Sequence, residues 1–219
     1  ITKVKGGINS DKVRPLYAFL DPYLAKSNNL QQHVICAFDA LVHSLESYES
    51  TISNDFTKAF AMQGVIKVMT GLKLLKKNEI DALELIAEGS IYSIISLMHS
   101  EQSLAGATSY PLATYYGYNH AYCGSAFIAK SIKFFYKREK NYLKDIVQEL
   151  YKLKLIDKKN ISSLIDKLKM IKNQYKIKDI ELNEIDINFL SKIIVKMPMI
   201  NYSQIKLNKN HIIEFLKND

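Results

Sequence analysis

From residue 31 to 48 the apolar positions Val34, Ile35, Phe38, Leu41, Val42 and Leu45 recur at steps of three and four, the spacing of an amphipathic helix. The same period predicts helices over about 56–75, 79–99, 121–136, 141–153, 162–171, 187–195 and 208–216. One segment breaks the period. Residues 13–20 (VRPLYAFL) form a short apolar and aromatic run closed by the turn dipeptide Asp21-Pro22, which predicts a strand. The chain therefore reads as all-α, a helical bundle-like domain with one short N-terminal strand.

A lone strand has backbone donors and acceptors that need a ladder partner. The strand thus looks like the seam of a larger protein, dividing the chain into a strand and linker (1–24) and a helical domain (25–219). The alternative is that it packs in extended form or pairs with residues 2–5. Between the third and fourth long helices, residues 100–120 are rich in Gly, Ser, Thr and Tyr and contain Pro111. They read as a loop, and a loop of that length in a compact helical domain usually carries function. The Lys, Ile and Asn bias after residue 150 reads as genome composition more than mechanism.

With 219 residues, 47% of them hydrophobic, the chain is long enough to bury one core. The net charge of +8 does not point to nucleic acid, because Arg14 and Arg138 are the only arginines among 30 basic residues. Runs such as Lys76-Lys77 and Lys158-Lys159 are interleaved with acids, as on solvated helix faces. Cys36 and Cys123 lack paired spacing, so neither a disulfide framework nor a thiolate metal site is expected, and a reducing cytoplasm fits. No apolar run reaches the roughly 18 residues that span a bilayer. Opening on Ile1 rather than Met, the sequence reads as a processed or truncated product.

The most informative spacing is Asp39-Ala-Leu-Val-His43: residues i and i+4 project from one helix face, and a carboxylate with an imidazole suits Zn or Fe(II). A plain Asp-to-His hydrogen bond on a helix surface gives the same spacing. The apolar neighbours Phe38, Leu41, Val42 and Leu45 place the pair at a buried margin, where unpaired polar groups are costly. A second candidate, His120, opens a helix after a Gly-containing turn and can be either a cap or a ligand. Glu46, three residues after His43, reads as a supporting or salt-bridging residue rather than an acid catalyst. His99 is a lesser pocket candidate, and His211 reads as surface.

These residues carry a resemblance. Leu20-Asp21-Pro22 followed by Asp39-Ala40-Leu41-Val42-His43-Ser44-Leu45-Glu46-Ser47-Tyr48 resembles the iron-containing alcohol dehydrogenases, in which a strand ending in Asp-Pro leads to a helix reading DALxHxxExY. Ser109-Tyr110-Pro111-Leu112 with Tyr116-Gly117-Tyr118-Asn119-His120 is similar to that family's second metal-binding stretch, which usually ends in Pro-His-Gly. The resemblance covers residues 13 to about 128 and implies the helical half of a two-domain enzyme. There a divalent metal, Fe(II) or Zn, polarises the substrate oxygen while NAD(P) exchanges hydride.

Carried over residue by residue, Asp39, His43 and His120 match three of the four metal ligands. The remaining ligand, a His fourteen positions before His120, falls on Gly106, which has no side chain to coordinate. Asn119 and Ala121 replace the usual Pro and Gly. The implied partner is a nucleotide-binding domain, in cis or in trans, and a homodimer stays open. NAD(P) binding is expected only with that domain, so the isolated chain is expected to be inactive. Two other readings remain: a stand-alone, non-catalytic helical protein with a degenerate metal site, and an unrelated helical module with chance motifs.

Overall fold

The computed structural model describes residues 11–13, 15–139 and 141–217. Its α-helices in chain order are α1 (Pro22–Ala25), α2 (Leu30–Tyr48), α3 (Asp55–Leu74), α4 (Glu79–Met98), α5 (Leu104–Tyr116), α6 (His120–Tyr136), α7 (Lys144–Lys152), α8 (Ile161–Gln174), α9 (Glu184–Ile194) and α10 (Lys209–Lys217). Asparagine sets seven of the helix starts, the last through Asn208, which accepts the His211 N–H at the start of α10. The side chains of Asn29, Asn54, Asn78, Asn119, Asn160 and Asn183 each accept the backbone N–H three residues on, satisfying a donor that has no partner within its helix. The Asn and Ile bias of the C-terminal third is therefore used structurally. Asn160 and Asn183 cap, while Ile161, Ile171, Ile187, Ile194 and Ile212 are buried.

The all-α class holds, and the expected strand does not form among the described residues. Val13 ends a 3-10 turn (Asp11–Val13), and residues 15–20 run without a ladder partner, their large side chains in solvent: Leu16 and Phe19 are each 92% exposed. A strand without a second strand has no sink for its backbone polar groups other than water. The alternative pairing with residues 2–5 lies outside the described residues. Asp21-Pro22 is a helix start rather than a simple turn, since Asp21 Oδ1 accepts the Tyr23 N–H at 2.9 Å and Pro22 opens α1.

The expected loop at 100–120 is mostly helix, because α5 runs through it. Pro111 removes one backbone donor inside α5, yet Leu104 to Ser109, Pro111 and Leu112 are all buried, so tertiary packing outweighs the propensity of a Gly/Ser/Thr/Pro sequence. Gly117, at φ 72°, ends the helix in the left-handed conformation that glycine adopts without strain.

α2 is the central helix. Val34, Ala37, Phe38, Leu41, Val42, Ser44 and Leu45 are all buried, covering most of its circumference, and α3, α4 and α6 pack around it. The α3–α4 pair is the most intimate contact, built on glycine. A Cβ on Gly89 would lie 2.6 Å from Val68 Cγ2, 3.0 Å from the Val68 nitrogen and 3.1 Å from the Gly64 carbonyl, so the two backbones touch. α5 and α6 form a second hairpin against α2; α8 and α10 pack on α6, α9 packs on α5 and α10, and α7 lies between α3 and α8. No helix among the described residues is long and apolar enough to cross a membrane.

Candidate metal centre

Asp39 and His43 stand one turn apart on α2 at the margin of the core, with side chains 22% and 12% exposed, and Oδ2 of Asp39 lies 3.9 Å from Nε2 of His43. His120 is the first residue of α6. Asn119 provides the cap, accepting the Tyr122 N–H, which leaves the His120 ring for other work. The structure brings the three together: one ligand atom from each lies within 4.8 Å of the others. Donors bound to one ion at about 2.0–2.2 Å sit roughly 3–4 Å apart, so the set fits a Zn or Fe(II) ion with small side-chain adjustments. Space for Asp39 comes from Gly124, where a Cβ would approach its Oδ1 to 3.3 Å.

The His120 ring is held on two sides. Its Nδ1 lies 3.1 Å from Oγ of Ser109, and that hydroxyl donates its only proton to the Gly106 carbonyl at 2.7 Å. With its proton committed to that carbonyl, Ser109 accepts from His120 in the tautomer that carries the ring proton on Nδ1 and the lone pair on Nε2, the form a metal needs. The Tyr110 ring meets His120 edge-on, centroids 5.1 Å apart. Burial, then the charges of Glu101 and Asp39, push the Tyr110 hydroxyl above its usual pKa.

Glu46, read from sequence as a supporting residue, proves to be the anchor of α5. Its carboxylate is buried and accepts the backbone N–H groups of Ser103 (2.9 Å), Ala105 (2.7 Å) and Gly106 (3.0 Å), with the Ser131 hydroxyl at 3.4 Å. An acid at a helix N-terminus satisfies unpaired donors and complements the helix dipole. Burial still pushes its carboxyl above the usual range, opposed by those four hydrogen bonds. Glu46 sits one turn after His43 on α2, and so ties the helix that carries Asp39 and His43 to the segment that carries Gly106 and Ser109.

Gly106 lies in this corner without a side chain, and Gln102 fills the place. A Cβ on Gly106 would fall 2.7 Å from both Cδ and Oε1 of Gln102, a residue only 4% exposed. Ser109 and Tyr110 lie in the stretch that carries the family resemblance, but their contacts with His120 were not readable from it, and Gln102 was missed altogether. A polar residue four positions from a glycine gives no periodic signal, and only folding sets its side chain beside Gly106.

The other histidines lie elsewhere. His99 caps the C-terminus of α4 and packs edge-on against Phe56. His211 is half-buried against Phe134 rather than on the surface, and Nδ1 of His211 and Nε2 of His33 are buried without a partner. Cys36 is exposed and Cys123 buried, and neither is in a disulfide.

Residues 33–219 match the family model of the Fe-containing alcohol dehydrogenase family, C-terminal. A curated relative, the NAD-dependent methanol dehydrogenase of Bacillus methanolicus, is 26% identical over 125 residues, covering 56% of this chain and 33% of the relative. Among solved structures, the iron-containing alcohol dehydrogenase of Thermococcus thioreducens superposes with a TM-score of 0.83 at 18% identity, over 95% of this chain and 56% of that one. The sulfoacetaldehyde reductase of Bifidobacterium kashiwanohense, solved in complex with NAD+, gives 0.77 at 15% identity, over 90% and 52%. The chain thus spans about half the length of these solved relatives. With the match covering all of α3 to α10 and the part of α2 that carries Asp39 and His43, the chain belongs to the Fe-containing alcohol dehydrogenase family and corresponds to its C-terminal, helical domain.

Proposed function

We propose that Asp39, His43 and His120 hold one divalent metal, Fe(II) or Zn, and that the chain is the helical half of a metal-dependent NAD(P) alcohol dehydrogenase or aldehyde reductase. The convergence of the three ligand atoms within 4.8 Å is the observation that carries this reading. Asp39 offers charge to balance the cation, His43 and His120 offer neutral nitrogens, and Ser109 fixes the tautomer of His120. Tyr110 shields one side of the His120 ring and lies close enough to Asp39 to feel its charge. When bound, the metal supplies a Lewis acid for the substrate oxygen and NAD(P) a hydride carrier.

The cofactor would come with a nucleotide-binding half, in cis or in trans. Support for such a partner is the apolar run ahead of α2: Leu16, Tyr17, Phe19, Tyr23 and Leu24 are each more than two-thirds exposed or close to it, a costly surface for an uncovered chain. A second reading, a non-catalytic helical protein with a degenerate site, is favoured by Gly106, which offers no ligand in a corner otherwise built for one. Titration of Zn and Fe(II) into the chain and into its Asp39→Ala and His43→Ala variants separates the two. Stoichiometric binding lost in both variants supports the enzyme half; no binding by the unaltered chain leaves the degenerate site.

A further inference from the structure

Asp39, His43 and His120 offer two nitrogens and one carboxylate, and a Zn or Fe(II) ion takes at least one donor more. From His120 the hydrogen bonds lead to the missing donor. Ser109 Oγ joins Nδ1 of His120 to the Gly106 carbonyl, so the Gly106 backbone is one hydroxyl away from a ligand ring. What stands beside Gly106 is not solvent but the end of Gln102, whose Oε1 lies 2.7 Å from where a Cβ at 106 would be.

Gln102 has little reason to be there as filler. It precedes α5 with 96% of its surface covered, and enclosing a carboxamide is unfavourable unless its oxygen and nitrogen meet polar partners. Its backbone position is fixed, because the next residue, Ser103, is bound through its N–H to buried Glu46, as are Ala105 and Gly106. A long, neutral side chain thus projects from a rigid corner into the volume vacated by glycine. A carboxamide oxygen is a good neutral donor for a divalent cation and leaves Asp39 as the one anionic donor of the set.

On this basis, and resting on the metal reading given above, we propose that Gln102 supplies a further ligand oxygen, through Oε1, to the divalent metal held by Asp39, His43 and His120. The donor set becomes two nitrogens and two oxygens, with Gln102 and Gly106 acting as a compensating pair: the absence of a side chain at 106 is what lets the carboxamide in.

Co(II) provides the test, because its visible absorption reports donor type and coordination number independently of any enzymatic turnover. Titrations of the 219-residue chain are compared with Gln102→Leu, which keeps bulk without a donor, Gln102→Glu, which keeps shape and adds an anionic donor, and Asp39→Ala. The expected result is an affinity loss of about 10-fold or more with an altered Co(II) spectrum in Gln102→Leu, and affinity at or above the original in Gln102→Glu. Circular dichroism checks that Gln102→Leu is folded. If it is not, Gln102→Glu decides alone: an altered Co(II) spectrum is expected there, and an unchanged spectrum overturns the proposal. Unchanged binding in Gln102→Leu with loss in Asp39→Ala would refute the role of Gln102 and leave the metal site standing. Unchanged binding in Asp39→Ala would remove both.

Discussion

Oγ of Ser109 lies 3.1 Å from Nδ1 of His120 while donating to the carbonyl of Gly106, so a single hydroxyl favours the tautomer of the histidine with its proton on Nδ1. Groups in this position orient a ligand and hold its basic tautomer, and their loss weakens metal binding by about 10–100-fold. Ser109→Ala is therefore expected to lower Zn affinity by that amount in a calorimetric titration while leaving the far-ultraviolet spectrum unchanged. An affinity equal to that of the unaltered chain would show that the ring is held by Tyr110 and packing alone.

Replacing Glu46 by Gln removes one acceptor oxygen from a corner that offers three N–H groups, setting an amide NH2 against a backbone donor. A lost buried hydrogen bond to a charged group costs about 1.5–3 kcal/mol, and a chain of this size loses roughly 2–4 °C of Tm per kcal/mol. A fall in Tm of several degrees is the expected outcome by calorimetry.

Glu46 also gives the stability a pH dependence. Burial raises its folded-state pKa, so the folded chain holds the proton more tightly than the unfolded one. Its favourable contribution is full below the ordinary glutamate range and is lost as pH rises through the raised value. Glu46→Gln cannot titrate, and the difference in unfolding free energy between the two proteins should change across that interval and be constant outside it. A pH-independent difference would mean that the hydrogen bonds at the start of α5 cancel the effect of burial.

Gly106→His alone introduces a Cβ 2.7 Å from the Gln102 side chain, so an imidazole there competes with the carboxamide for one space. Substituting both positions, Gln102→Ala with Gly106→His, is expected to bind Zn more tightly than either single variant and by more than their effects combined. Residues that share one volume are coupled. Additive effects in a Zn titration would place positions 102 and 106 in separate spaces.

Gly89→Ala would force apart two helix backbones, because its methyl group meets the Val68 nitrogen at 3.0 Å and the Gly64 carbonyl at 3.1 Å. Overpacking of this kind costs roughly 1–3 kcal/mol, against a small gain in helix propensity. Thermal unfolding should therefore shift downward, with metal affinity unaffected.

The long helices were legible in the sequence because each buries a continuous apolar stripe, and the observed bounds of α2, α3 and α4 depart by a residue or so from the periodicity. Asp39 and His43 could be paired from spacing, since four residues on a helix fix a face. α5 was illegible for an opposite reason. Its residues are small and mixed, Pro111 interrupts them, and the helix is stabilised by burial and by Glu46, which lies 57 residues before Ser103. Residues 13–20 have strand chemistry but no partner strand among the described residues, and a strand is a property of a pair. Ser109 and Tyr110 reach His120, and Gln102 reaches Gly106, only once α5 exists, which is why these contacts could not be read from local pattern.

The grip of Glu46 on α5 has a consequence for the slow motions of the domain. Amide hydrogens at the start of a helix have no intrahelical acceptor and ordinarily exchange with solvent through local fraying. Here those of Ser103, Ala105 and Gly106 end on a carboxylate enclosed by the core, so releasing them strands an unpaired acid inside the protein. They should exchange with deuterium only through openings comparable to unfolding of the whole domain, as slowly as amides in the middle of α2. The first turn of the most irregular helix would then be among its most durable parts, and the metal corner would dissolve only when the domain itself does.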